Sequence, residues 1–278
     1  MAELGKTNIL TILKKVDFGL YLDGEELGEI LLPRRYASKD ANEGDELKVF
    51  IYLDSEDRLI ATTEIPFAEI GQCAHLKVVS IGKFGAFLDW GLPKDILAPF
   101  KEQRIPMLKG KFYTVFLFID VMGRIAASSK LDSFLKEEDL DDHFTINQKV
   151  NLHISRQTEL GYKAVINGTH IGLIHNSDLL QKIKVGEIKD GYIKKIRTDG
   201  RIDLTLQEKG IEAIDNSAQN ILDFIKNKGG SINITDKSSP EIIYEHFKIS
   251  KSVYKKALGK LYKDRIIVIE KDKIILSE

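Results

Sequence analysis

An internal repeat restricts the fold of this sequence more than any other feature. FGLYLD at residues 18–23 returns as FGAFLD at 84–89, and DRLIATTE at 57–64 returns as GRIAASSK at 123–130. Phe18 to Phe84 and Arg58 to Arg124 are both offsets of 66 residues. Two unrelated landmarks keeping one offset mark a duplicated unit. A third, looser copy has Leu160-Gly161-Tyr162 at the Phe-Gly position and GRIDLTLQ at 200–207, with Arg201 lying 77 residues beyond Arg124.

Each copy has β character. LKVVSIGKFGAFLDW is rich in β-branched and aromatic residues, and FYTVFLFIDVMGRIAAS reads as two strands turning at Met122-Gly123. The first copy repeats this in ELKVFIYLDSEDRLIATT, turning at Ser55-Glu56-Asp57. Roughly 60 residues with about five short strands suit a small closed barrel, which leaves no sheet edge exposed. From about residue 212 the period changes. Ile214, Ala218, Ile221, Leu222 and Ile225 form a helical stripe ended by Gly229-Gly230. Ser239-Pro240 opens a second helix as cap and first helical position, and Ser250 opens a third, running to about Asp264. A hairpin around Lys271-Asp272 closes the chain.

The expected fold is therefore mainly β with a C-terminal α+β module. Three tandem five-stranded barrels at 1–65, 66–131 and 145–210 precede a winged helix at 212–278. The acidic stretch SFLKEEDLDDHF between barrels two and three reads as a helical or extended linker.

A length of 278 residues suits several modules, and 43% apolar with 30% charged residues is the balance of a folded protein. The net charge of −1 hides blocks of opposite sign: −6 over 1–64, +4 over 65–131, −4 over 132–150, +3 over 151–211 and +2 over 212–278. A polyanion is expected to meet the blocks after residue 64. No run of 18 apolar residues occurs, so no membrane span is expected, and the acidic N-terminus argues against a secretory signal. Cys73 is the only cysteine, which excludes an internal disulfide and a cysteine zinc cluster and fits a cytoplasmic protein.

The repeats resemble the RNA-binding barrel of bacterial ribosomal protein S-one, a variant of the OB fold. Phe84-Gly85-Ala86-Phe87 matches its FGAF element. Gly172-Leu173-Ile174-His175-Asn176-Ser177-Asp178-Leu179 matches its GLIH element, and Gly200-Arg201-Ile202 its closing strand. The resemblance implies single-stranded RNA binding, in which bases stack on exposed rings beside cationic groups. Phe84 and Phe87 are three apart, and a bulge or kink at Gly85 is expected to bring both rings to one face. His175 is either a base contact or a satisfied rim histidine. Copy two has Leu97-Ala98-Pro99-Phe100 where that histidine would fall, so its third contact is Phe100 or is missing. Copy three offers Tyr162 in place of the aromatic pair, with Arg201 standing where copy two has Arg124. The first copy has Phe18 and Tyr21, but its acidic surplus points to a partly structural role. The whole order, with GEILLPRRY at 28–36 and SKSVYKKALGKLYKDRII at 250–267, resembles the CvfB/YitL family of conserved virulence factor B proteins. That resemblance implies RNA binding with an influence on gene expression.

In the third helix Val253, Ala257, Leu258 and Leu261 share one side. Lys255, Lys256 and Lys260 spread over the other, with Lys251 at the first turn, as in a nucleic-acid-binding helix. His75, His143, His153, His170 and His246 show no ligand spacing, so no metal or cofactor is expected. No P-loop, dinucleotide fingerprint or HExxH occurs, and pairs such as Glu137-Glu138 and Asp141-Asp142 lie in the charged linker, so an enzyme is not expected. The expected partner is single-stranded RNA, bound by a monomer. The alternatives are a regulator reading duplex DNA through the winged helix and a ribosome-associated scaffold.

Overall fold

The computed structural model describes residues 1–38, 40–140, 142–180, 182–208 and 211–277, with the backbone alone at 211–213. Fifteen strands close into three barrels. The first holds β1 (Thr7–Val16), β2 (Gly19–Asp23), β3 (Glu29–Pro33), β4 (Glu46–Leu53) and β5 (Leu59–Thr62). The second holds β6 (Cys73–Ile81), β7 (Gly85–Asp89), β8 (Ile96–Pro99), β9 (Phe112–Ile119) and β10 (Ile125–Ser128). The third holds β11 (Lys149–Gln157), β12 (Gly161–Ile166), β13 (His170–His175), β14 (Ile188–Ile196) and β15 (Ile202–Thr205). In each, the third and fifth strands run parallel and the first pairs with both the second and the fourth, a closed Greek-key order. Alternation places the cores: in β6 Ala74, Leu76 and Val78 are buried, while Cys73, His75 and Lys77 are not.

The barrels share two local devices. The first strand of each has a bulge, between Ile12 and Lys14, between Val78 and Ser80, and between Ile154 and Arg156. The glycine opening the second strand lies against the third. A Cβ on Gly19, Gly85 or Gly161 would stand 2.2, 2.2 or 2.0 Å from the carbonyl oxygen of Leu32, Ala98 or Ile174. The expected kink at Gly85 is thus corrected: the bulge lies across the ladder at Val79, and Gly85 is required for close backbone approach.

The barrels are docked on one another. Phe50 and Tyr52 of β4 belong to the second barrel's core, where Phe50 meets Trp90 edge-on with centroids 5.6 Å apart. Leu131, Leu135, Val165 and Ile171 form a cluster between the second and third barrels, with Phe116 and Phe134 packed against it. The acidic stretch is extended and adheres to the third barrel. Lys136 bridges to His170 and Glu138 to Arg201. Asp141 of that stretch lies outside the described residues.

The C-terminal module contains α1 (Ile211–Asn227), β16 (Ser231–Ile232), α2 (Pro240–Phe247), α3 (Lys251–Lys263), β17 (Ile267–Ile269) and β18 (Ile274–Leu276). Ser239 and Ser250 accept hydrogen bonds from the backbone N–H of Ile242 and Val253, as helix caps do. The two-residue β16 completes a three-stranded sheet beside the expected hairpin. The buried stripe of α3 is Tyr254, Ala257, Leu258 and Leu261; Val253 is only half-buried. The spacing from Tyr254 is i, i+3, i+4, i+7, and its hydroxyl donates to the Ile234 carbonyl at 2.8 Å. Among the described residues no helix is long and apolar enough to cross a membrane.

Candidate nucleic-acid interface

The ladders align the three barrels residue by residue. Gly19 faces Pro33, Gly85 faces Pro99 and Gly161 faces His175, so the positions of Phe18, Phe84 and Leu160 correspond. Two residues into each second strand stand Tyr21, Phe87 and Lys163, opposite Leu31, Leu97 and Leu173. Arg58, Arg124 and Arg201 close the turn before each fifth strand.

In the second barrel Phe84 and Phe87 line one groove of about 270 Å³ together with Arg124. Phe84 reaches it because it lies in the turn before β7, outside the strand alternation, and is 68% exposed. Phe87 is half-buried, with its ring edge 2.9 Å from the place of a Cβ on Gly82. Phe100 is exposed, and its backbone N–H donates to the Phe84 carbonyl at 3.2 Å, which holds the two residues at one rim. Arg124 donates to Asp120 from Nη2 at 3.0 Å and Nε at 3.3 Å. Burial pushes the Asp120 carboxyl up, but hydrogen bonds from Arg124 and Met122 outweigh it and hold the group below the usual range. A guanidinium fixed this way can meet a phosphate beside the rings.

The first barrel carries a similar face. Exposed Phe18 stands edge-on to Tyr21 at 6.3 Å, and the Lys14 ammonium lies 4.7 Å from the Tyr21 centroid. Arg34 donates its backbone N–H to the Phe18 carbonyl at 2.9 Å, occupying the Phe100 position. No local sequence signal marks Lys14 or Arg34; only strand register aligns them with Ser80 and Phe100 of the second barrel.

The third barrel differs. Tyr162 lies one residue before the Phe87 position, at that of Ala86, and packs half-buried against the third core. A shift of one residue along a strand exchanges faces. His175 Nε2 lies 3.0 Å from Asp203 Oδ1 and 3.1 Å from Arg197 Nη2, which itself donates to Asp203 at 2.6 Å. The imidazole is thereby fixed at the rim. Burial pushes the Asp203 carboxyl up, but Arg197 and His175 together hold it below the usual range. Arg201 is exposed, its Nε 3.9 Å from Asp199.

Of the five lysines of α3, the four expected at a nucleic acid divide into two pairs. Lys251 donates to the carbonyls of Lys237 and Ser238 at 3.3 and 2.8 Å, and Lys260 pairs with Asp215 of α1. Lys255 and Lys256 are exposed.

Histidine spacing along the chain does not disclose one further cluster. Ligand atoms of Asp139, His143 and His170 lie within 4.8 Å of one another, because the linker pairs with β13 and brings distant positions together. These are the residues that could hold a cation, although both Asp139 oxygens already accept backbone N–H bonds, from His143 at 2.8 Å and Phe144 at 2.9 Å.

Comparison with known proteins follows this division into modules. Residues 4–64 match a family model described as an S1 domain, and residues 219–276 one described as a CvfB-like winged helix domain. The S1 match falls on the first barrel, while the FGAF element stands in the second. A solved structure described as a multidomain protein with nucleic acid binding domains, from Streptococcus pneumoniae, is 27% identical with 98% of each chain covered, at a TM-score of 0.42. Conserved virulence factor B of Staphylococcus epidermidis is 29% identical over 84% of this chain and 81% of its own length. The Bacillus subtilis protein named "Uncharacterized protein YitL" is 30% identical over 94% of this chain and 89% of its own. Both matched domain types bind nucleic acid. With that likeness running through barrels and winged helix alike, the chain belongs to the conserved virulence factor B (CvfB/YitL) family.

Proposed function

We propose that this chain is a cytoplasmic, non-enzymatic, monomeric RNA-binding protein that influences gene expression after transcription. Single strands stack on the second barrel, and the first barrel and winged helix add affinity. The observation that carries the reading is the groove in which Phe84, Phe87 and Arg124 converge. A ring offers any base a π-face, so the preference is for unpaired strands and not for one sequence. Several weak modules on one chain bind through effective concentration. The test is fluorescence anisotropy with single-stranded RNA, single-stranded DNA and duplex DNA. RNA is expected to bind best, and Phe84→Ala with Phe87→Ala to weaken it about tenfold or more, given about 1–3 kcal/mol per stacked base. Unchanged affinity in a folded double variant removes the stacking site.

A second reading has an observation of its own: exposed Lys255 and Lys256 lie on the helix that winged-helix proteins present to duplex DNA. Preference for duplex DNA, together with a dimer in solution, would favour that regulator.

A further inference from the structure

The groove of the third barrel is in register with the second barrel's ligand face, and it continues into a cleft of about 540 Å³ between the two barrels. Thr158, Lys163 and Ile171 line both, so groove and cleft form one trough. Its cations come from four different elements: Arg104 after β8, Arg156 on β11, Lys163 on β12, and Arg197 and Arg201 around the turn before β15. Arg104 lines the cleft, its backbone N–H donating to Ser129 Oγ at 2.8 Å and its guanidinium pairing with Asp132. Burial, and then the neighbouring Arg156 guanidinium, push Arg104 below its ordinary range. Like charges facing one cleft repel unless an anion lies between them.

The chain supplies such an anion itself. Glu137 of the acidic stretch pairs with Lys163, at the position where the second barrel has Phe87. Lys163, Arg201 and Arg156 all favour its charged form. The backbone around it is anchored: Lys136 N–H donates to Thr169 at 3.1 Å, Ile171 N–H to Lys136 at 2.8 Å, and Asp139 N–H to Gly200 at 3.0 Å. Leu131 and Leu135 hold the stretch from the other end. Only the Glu137 side chain has to swing for another anion to reach Lys163, and both side chains are partly exposed.

We infer that the trough between the second and third barrels is a separate binding site for the phosphodiester backbone of a single strand, and that Glu137 is its built-in competitor. The inference rests on the RNA reading above. A phosphate entering the trough replaces the Glu137 carboxylate on Lys163, and the next phosphate bridges Arg156 and Arg104, sharing the latter with Asp132.

The experiment compares four full-length proteins by anisotropy with a long unstructured RNA across a salt series. Glu137→Gln removes the competitor and is expected to raise affinity roughly fivefold, the scale of a partly exposed ion pair. Glu138→Gln removes the same charge one residue away, from an exposed side chain on the other side of the extended stretch, and is expected to leave affinity nearly unchanged. The Arg104→Ala, Arg156→Ala double variant is expected to lower affinity and to flatten the salt slope by about 0.7 for each phosphate that the arginines no longer neutralise. Equal gains from Glu137→Gln and Glu138→Gln would reduce the effect to bulk charge and overturn the competitor. An unaltered slope in the arginine double variant would overturn the site. An unsubstituted protein that binds no RNA would instead defeat the functional reading itself, and a gain of affinity in Glu137→Gln cannot arise from misfolding.

Discussion

Replacing His153 by asparagine should flatten the acid side of this protein's stability curve. His153 lies on β11, is 8% exposed, and its Nε2 has no hydrogen-bond partner among the described residues. Burial, and then the imidazole of His75, lower its pKa from 6.5 to about 4. Between those values the unfolded chain binds a proton that the folded chain refuses, so stability falls as the pH drops through this window. Above the unfolded value the contribution is complete, and below about 4 no more is lost. The whole shift corresponds to about 3 kcal/mol, of which about 2 kcal/mol falls between pH 7 and pH 5. His75, also lowered by burial, acts in the same direction. Urea denaturation at successive pH values measures the slope, and an NMR titration of the six histidines reads His153 directly. The parent should lose stability steeply below neutrality, and His153→Asn should lose about 2 kcal/mol less over the same range. A His153 resonance titrating near 6.5, or equal acid slopes in the two proteins, refutes the burial argument.

Gly85→Ala should cost about 1–3 kcal/mol and lower the melting temperature, because its Cβ would meet the Ala98 carbonyl oxygen at 2.2 Å with Pro99 Cα at 2.8 Å behind it. Calorimetry decides, and an unchanged melting point would mean that the β7–β8 ladder opens freely. Lys255→Glu with Lys256→Glu should flatten the salt dependence of RNA binding without unfolding the module, since both side chains are exposed on α3. An unchanged slope removes that helix from the interface.

What could be read in the sequence, and what could not, divides along physical lines. The 66-residue offset betrayed the duplicated barrels because strand spacing and turn glycines are local, and each copy had to keep them to close. Ser239, Ser250 and the glycines after α1 were legible for the same reason, since caps act within one turn. The site was less legible because it depends on register and on contacts from afar. Tyr162 reads as an exposed aromatic until the pairing of Gly161 with His175 puts it one residue from the groove position, which Lys163 takes instead. Lys260 reads as a free cation on a helical wheel, and only the packing of α1 brings Asp215, 45 residues away, against it. The acidic stretch is the strongest instance. As composition it is a solvated spacer, yet apolar Leu131 just before it and Leu135 within it give it a docking edge. Once that edge is buried between two barrels, the carboxylate of Glu137 is delivered to a cluster of cations contributed by two barrels. In this segment the buried Leu131 and Leu135 fix the backbone and Glu137 supplies the charge, so apolar anchor and acidic side chain together make the strap by which, on the inference above, the chain competes with a polyanion for its own cations.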